Sequence, residues 1–120
     1  MLKNDLKNLI IKAKGEEKSE LVLKNCNLVN VFTNEIIKTN VAIDNGKVVG
    51  IGEYQGTEEV DLEGKYLVPG FIDSHVHIES SMSTPSQFAR AVIPRGVTSV
   101  ITDPHEIGNV KGIEGIKFMI

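Results

Sequence analysis

The chain has 120 residues, 41% of them apolar and 24% charged, which suits one globular domain and is too short for two full ones. Lysine and glutamate are interspersed, the formal net charge is −3, and no basic stripe exists, so composition argues against nucleic acid as a partner. The single cysteine, Cys26, excludes an internal disulfide and any cysteine-built zinc cluster and fits a reducing compartment. With no signal peptide and no apolar run near about 18 residues, a cytoplasmic chain with no membrane partner is expected.

Residues 1–19 read as an amino-terminal helix, because Leu2, Leu6, Leu9, Ile10 and Ala13 form an apolar stripe at helical spacing and Gly15 follows it. From Glu20 the period shortens to that of strands. Residues 20–32 and 35–44 read as strands with Asn34 at the turn, and Asn45-Gly46 between two apolar runs is a strong hairpin signal. A further strand and a Glu63-Gly64 turn lead into Pro69-Gly70. Residues 20–68 are therefore expected to form a small antiparallel β domain, part of a sandwich, with no catalytic constellation.

The segment 69–81, PGFIDSHVHIESS, is where titratable residues gather. Read as a strand over 71–78, its alternation puts Asp73, His75, His77 and Glu79 on one face and Ile72, Ser74, Val76 and Ile78 on the other. Two imidazoles two residues apart stand roughly 6.6 Å apart along a strand, near enough to converge on one ion. An edge strand with a solvated polar face would show the same alternation. Such a strand more usually carries Lys, Thr or Gln, and Asp73 is placed to orient an imidazole, so His75 and His77 are expected to bind a metal.

Beyond this strand, Thr84 reads as an N-cap, with Pro85 in the first helical position and Gln87 completing a capping box. Phe88, Ala91 and Val92 give that helix an apolar face, and Pro94 and Gly96 stop it. Residues 97–102, VTSVIT, read as a fully buried parallel strand. Residues 103–110 are expected to be loop, with a second helix from Lys111 weakened by Gly112 and Gly115. A βαβα piece leaves open strand edges, so 69–120 reads as the start of a larger fold. The expected class is α/β: an N-terminal β-sandwich portion followed by the first βαβα part of an incomplete TIM (β/α)8 barrel, a fold of about 250 residues. In such a barrel His75, His77 and Glu79, ending one strand, and Asp103, His105 and Glu106, after the next, share one mouth.

The run Pro69-Gly70-Phe71-Ile72-Asp73-Ser74-His75-Val76-His77 resembles the first barrel strand of the metal-dependent amidohydrolase superfamily. More narrowly, HVHIESSM together with TPSQFARAVIPRGVTSVITDPHEIGNV is similar to the bacterial adenine deaminase family, a likeness that covers residues 20–120. The resemblance implies hydrolysis of adenine to hypoxanthine and ammonia by a metal-activated hydroxide. It implies a dinuclear manganese or iron site in a full-length parent, His75 and His77 as ligands of one ion, and further ligands on strands outside this chain. The chain is then an N-terminal fragment, inactive alone, whose parent is expected to be a homo-oligomer acting on a small purine base. Asp73, Glu79, His105 and Glu106 are candidates for substrate contacts or for orienting the ligands. Against Glu79, His105 and Glu106 stands a plain loop-stabilising role. Ser80 and Ser81 are expected to satisfy main-chain groups.

Zinc deaminases of the His-x-Glu with Pro-Cys-x-x-Cys type need cysteine ligands that one cysteine cannot supply. Two alternatives remain: another amidohydrolase, such as a cyclic-amide hydrolase or deacetylase, or a non-catalytic metal-binding or assembly module.

Overall fold

The computed structural model describes residues 3–120, and Leu2 lies outside them. The chain divides into two units, one through Pro69 and the other Gly70–Ile120.

In the first unit, helix α1 (Lys3–Ala13) ends where the stripe of leucines does, and the Tyr54 hydroxyl donates to the free Ala13 carbonyl at 2.7 Å. Five strands follow: β1 (Ser19–Asn30), β2 (Glu35–Asp44), β3 (Lys47–Ile51), β4 (Gly56–Asp61) and β5 (Tyr66–Leu67). Strand β1 is central, with β2 and then β3 on one side and β4 and β5 in succession on the other. Val22, Cys26, Val41 and Ala42 form the buried heart of the β1–β2 pair.

The sheet is mixed, which corrects the antiparallel expectation for residues 20–68. β1–β2 and β2–β3 are antiparallel, but β4 and β5 both run parallel to β1. The reason lies in the link of residues 52–55, which carries the chain from the β3 edge to the opposite side of β1 rather than folding it back as a hairpin. Side-chain alternation has the same period in either direction, so the pattern of apolar residues was silent on this point. β1 bulges between Leu23 and Cys26, with Asn25 left-handed at φ 54°. The Asn25 N–H, freed from the ladder, donates to Asn40 Oδ1 at 2.9 Å, and the Gly64 N–H donates to the Asn25 carbonyl at 2.8 Å. The bulge thus falls where β4 hands over to β5.

In the second unit, β6 (Phe71–Val76) pairs in parallel with β7 (Val97–Thr102), and α2 (Pro85–Val92) makes the crossover. Three expectations are revised here. β6 stops at Val76, so His77 follows the strand and Glu79 lies in a 3-10 turn, Glu79–Ser81. β7 is not buried: Ile101 is 61% exposed and Ile72, on β6 beside it, 65%. A two-stranded sheet has no further layer with which to cover these residues. The capping box does not form, since Thr84 makes no side-chain cap and its hydroxyl meets Ser86 Oγ at 3.1 Å.

The last helix, α3 (His105–Met119), begins three residues past the end of β7 rather than at Lys111. Only Asp103 and Pro104 separate it from the strand, because Pro104 occupies the N-cap and Glu106 places negative charge in the first turn. Gly112, at φ 60° and ψ −147°, breaks the helix in two. A side chain at Gly115 would stand 2.7 Å from the Ile107 carbonyl, so the second half packs back closely on the first.

Candidate metal centre

Parallel pairing of β6 and β7 sets the site. Val76 is opposite Thr102, and the Asp103 N–H donates to the Val76 carbonyl at 3.3 Å, so His77 and Asp103 leave adjacent strand ends side by side. There His77 Nδ1 lies 2.8 Å from the Asp103 carbonyl oxygen. A carbonyl only accepts, so Nδ1 carries the proton and Nε2 presents its lone pair.

That lone pair faces His75. The two Nε2 atoms are 3.1 Å apart, with the rings edge-on at a centroid distance of 4.9 Å. Two nitrogens bound to one ion at about 2.0–2.1 Å each lie about 3 Å apart when the angle between them is near a right angle. One ligand atom from each of His75, His77 and Asp103 falls within 4.8 Å of the others, and His75 and Asp103 are exposed while His77 is half-buried. The donor set, two imidazoles and a carboxylate, suits a borderline divalent ion such as zinc, iron or manganese. The residues present therefore fit a metal.

Around this group, Asp103 Oδ2 accepts from His105 Nδ1 at 3.0 Å, and the His105 ring packs edge-on against His77 at 4.8 Å. Ser80 Oγ donates to Glu106 Oε1 at 2.8 Å, and the Ile107 N–H donates to Glu79 Oε1 at 3.4 Å. Asp73 Oδ1 accepts the main-chain N–H of His75 at 3.1 Å, so Asp73 braces the strand rather than an imidazole. Ser81 Oγ donates to the Ile78 carbonyl at 2.6 Å, the main-chain role expected of it, whereas Ser80 serves a carboxylate instead. The sequence reading gave Asp103 no ligand role. The signal that would have found it is position: it is the first residue past a strand parallel to the one carrying the histidines.

Residues 66–120, which include both histidines, match the amidohydrolase family. Homologues along nearly the whole chain are adenine deaminases. That of Clostridium acetobutylicum is 61% identical over 111 residues, which is 92% of this chain and 20% of that protein. Those of Bacillus velezensis and Bacillus subtilis are 54% and 51% identical over 120 residues, 100% of this chain and 21% of each. The chain spans about a fifth of the length of the curated relatives it matches.

Among solved structures, L-hydantoinase (dihydropyrimidinase) from Arthrobacter aurescens is 26% identical with a TM-score of 0.56, over 72% of this chain and 21% of that one. An N-acyl-D-glutamate deacylase from Bordetella bronchiseptica, complexed with zinc, is 20% identical with a TM-score of 0.55, over 72% and 19%, and speaks for the mixed α/β fold alone. Among the described residues no helix is long and apolar enough to cross a membrane.

Proposed function

We propose that this chain is the amino-terminal portion of an adenine deaminase, which converts adenine and water to hypoxanthine and ammonia, and that the portion alone is inactive. The observation that carries the reading is the convergence of His75, His77 and Asp103 in a chain 51–61% identical to adenine deaminases. His75 and His77 hold a divalent ion, manganese or iron by family resemblance, one of two in the complete protein. Such an ion, when bound, would lower the pKa of a coordinated water toward about 7 and so would supply a nucleophile near neutral pH. The His77 proton on Nδ1 keeps Nε2 free for the ion, and Asp103 fixes that choice through its carbonyl while holding His105 with its carboxylate. Asp73, Glu79, His105 and Glu106 orient these groups or touch the purine.

Two imidazoles and one exposed carboxylate fill only part of a coordination sphere, so the 120-residue chain binds metal weakly and the remaining ligands come from elsewhere in the complete protein. The helix Lys3–Ala13 leads the chain, residues 20–68 are read as a portion of a sandwich, and residues 69–120 as the first βαβα of a (β/α)8 barrel. The uncovered Ile72 and Ile101 support a barrel wall that continues. An apolar groove along Leu23, Leu28, Val41, Ile43, Val48 and Leu67 supports a second layer over the sheet of the first unit. A cytoplasmic homo-oligomer acting on a small base, with neither nucleic acid nor membrane as partner, completes the reading.

Another amidohydrolase activity, on a cyclic amide or an N-acyl group, is the second reading, favoured by the likeness to the hydantoinase. Metal analysis and an adenine assay on the complete gene product decide between them. Hypoxanthine formation that rises with bound metal is expected; metal-loaded protein that leaves adenine untouched and opens a hydantoin ring would overturn the first reading. A complete product that holds no metal and turns over neither compound would leave a non-catalytic assembly module.

A further inference from the structure

Two side-chain links tie the exit of β6 to the start of α3: Ser80 to Glu106 at 2.8 Å, and the Ile107 N–H to Glu79 Oε1 at 3.4 Å. Between β7 and these anchored residues lies Asp103, whose carbonyl sets the His77 tautomer and whose carboxylate holds His105. Main-chain restraints on this segment are modest. The Asp103 N–H reaches the Val76 carbonyl at 3.3 Å, and the Gly108 N–H reaches the Pro104 carbonyl at 3.1 Å. A shift of about 1 Å at the start of α3 would take the 2.8 Å His77–Asp103 contact out of hydrogen-bond range.

Glu79 is an unusual member of this arrangement. Its Oε2 is buried and has no hydrogen-bond partner among the described residues, while Oε1 is taken by Ile107. Desolvating a carboxylate oxygen without a donor is unfavourable, so the side chain is not placed there for its own stabilisation. Nor does it suit substrate contact, because an oxygen that touches substrate must be presented to it, and this one is closed off.

Resting on the metal-site reading above, we infer that Glu79 is a positioning residue: by gripping the Ile107 amide it holds the start of α3, and with it the Asp103 carbonyl that keeps the His77 Nε2 unprotonated for the ion. Without that grip the two neutral tautomers of His77 exchange freely, and an ion must select the one whose proton sits on Nδ1.

The test uses the complete gene product, stripped of metal and titrated with Mn2+ against a competing chelator, with kcat and KM for adenine then measured at saturating Mn2+. Glu79→Ala is expected to weaken Mn2+ binding by about 10–100-fold, the usual effect of losing a group that orients a ligand, with KM at saturating metal changed less than about twofold. Glu79→Gln, whose amide oxygen still accepts from Ile107, is expected to stay within about threefold of the parent. Unchanged Mn2+ affinity in Glu79→Ala overturns the inference. So does a Glu79→Gln as impaired as Glu79→Ala, which would mean that charge matters, or a raised KM at saturating metal, which would mean substrate contact. Should Glu79→Ala fail to fold, Ser80→Ala cuts the neighbouring link and is expected to weaken Mn2+ binding by at least about threefold; no change there also overturns it. His77→Ala separates the two levels. If it binds Mn2+ as the parent does, the ligand assignment fails; if it loses Mn2+ while Glu79→Ala keeps it, only the role given to Glu79 fails.

Discussion

The imidazole of His77 and the main-chain carbonyl of Asp103, 26 positions apart in sequence, meet at 2.8 Å because each is the first residue past one of two parallel strands. The contact assigns the His77 proton to Nδ1 and belongs to the Asp103 backbone, which separates two roles of that residue. His77→Ala in the complete protein removes a ligand, and metal content and turnover are expected to fall by at least about 100-fold. Asp103→Ala keeps the carbonyl and loses only the carboxylate, so the smaller loss is expected there. Metal analysis and turnover measured side by side check the order; a larger loss in Asp103→Ala would mean that the carboxylate, not the tautomer contact, dominates.

Much of this site was legible because its signals are local. His75 and His77 are two residues apart, and a Pro-Gly stop before them with a hydroxyl-rich turn after them frames a strand end. Asn45-Gly46 announced its hairpin for the same reason. What the sequence hid depends on partners far along the chain. The direction of β4 is decided by how residues 52–55 cross the sheet, and β4 alternates identically either way. The exposure of Ile101 depends on which layers surround it, and its apolar character alone suggested burial. At α3, glycines at 108 and 112 hid a helix that starts at His105, although the break does come at Gly112. Asp103 was visible as a turn residue, and its meeting with His77 required the register of β6 on β7.

The hairpin between β2 and β3 turns on Asn45 at φ 48° and Gly46 at φ 66°. Nothing lies within 4 Å of where a Gly46 Cβ would stand, so Gly46→Ala has only the left-handed backbone to oppose it and should cost about 1 kcal/mol. Gly56, at the start of β4, is limited by space instead, since a Cβ would come 2.3 Å from the Glu58 carbonyl oxygen and 3.0 Å from Val22. Backbone there must move, and Gly56→Ala should cost about 2 kcal/mol or more. Urea unfolding of both variants tests the ordering, and a costlier Gly46→Ala would contradict it.

Cys26 is 1% exposed in the β1–β2 core, and its Sγ lies 3.2 Å from the Thr39 carbonyl, to which the thiol donates. Burial pushes its pKa up, and a hydrogen bond from the main-chain N–H of Cys26 itself offsets only part of that. Thiolate is the reactive form, so native protein should resist iodoacetamide at pH 8 at least about tenfold more than the same protein in urea. Equal labelling rates with and without urea would show that the β1–β2 core opens readily.

Acid sensitivity should concentrate at the β4 edge. The Glu63 N–H donates to Asp61 Oδ1 at 2.8 Å and the Asn25 amide to Oδ2 at 2.9 Å, and these hydrogen bonds, that from Glu63 first, lower the Asp61 pKa. Glu59 is lowered chiefly by the Gly56 N–H at 3.0 Å, with Lys24 adding attraction from 3.6 Å. A carboxylate whose folded pKa lies below its unfolded one stabilises the fold above the unfolded value, and that contribution disappears as pH falls through the folded one. The urea midpoint should therefore be flat from pH 7 to about 5 and decline from about pH 4.3 downward, where unfolded carboxylates begin to bind protons. Because main-chain donors lead in both cases, added salt should leave most of the decline in place, removing only the share due to Lys24. Asp61→Asn has no carboxylate to titrate at that position and should show a shallower decline; a slope equal to that of the parent would mean that the acid response arises elsewhere in the fold.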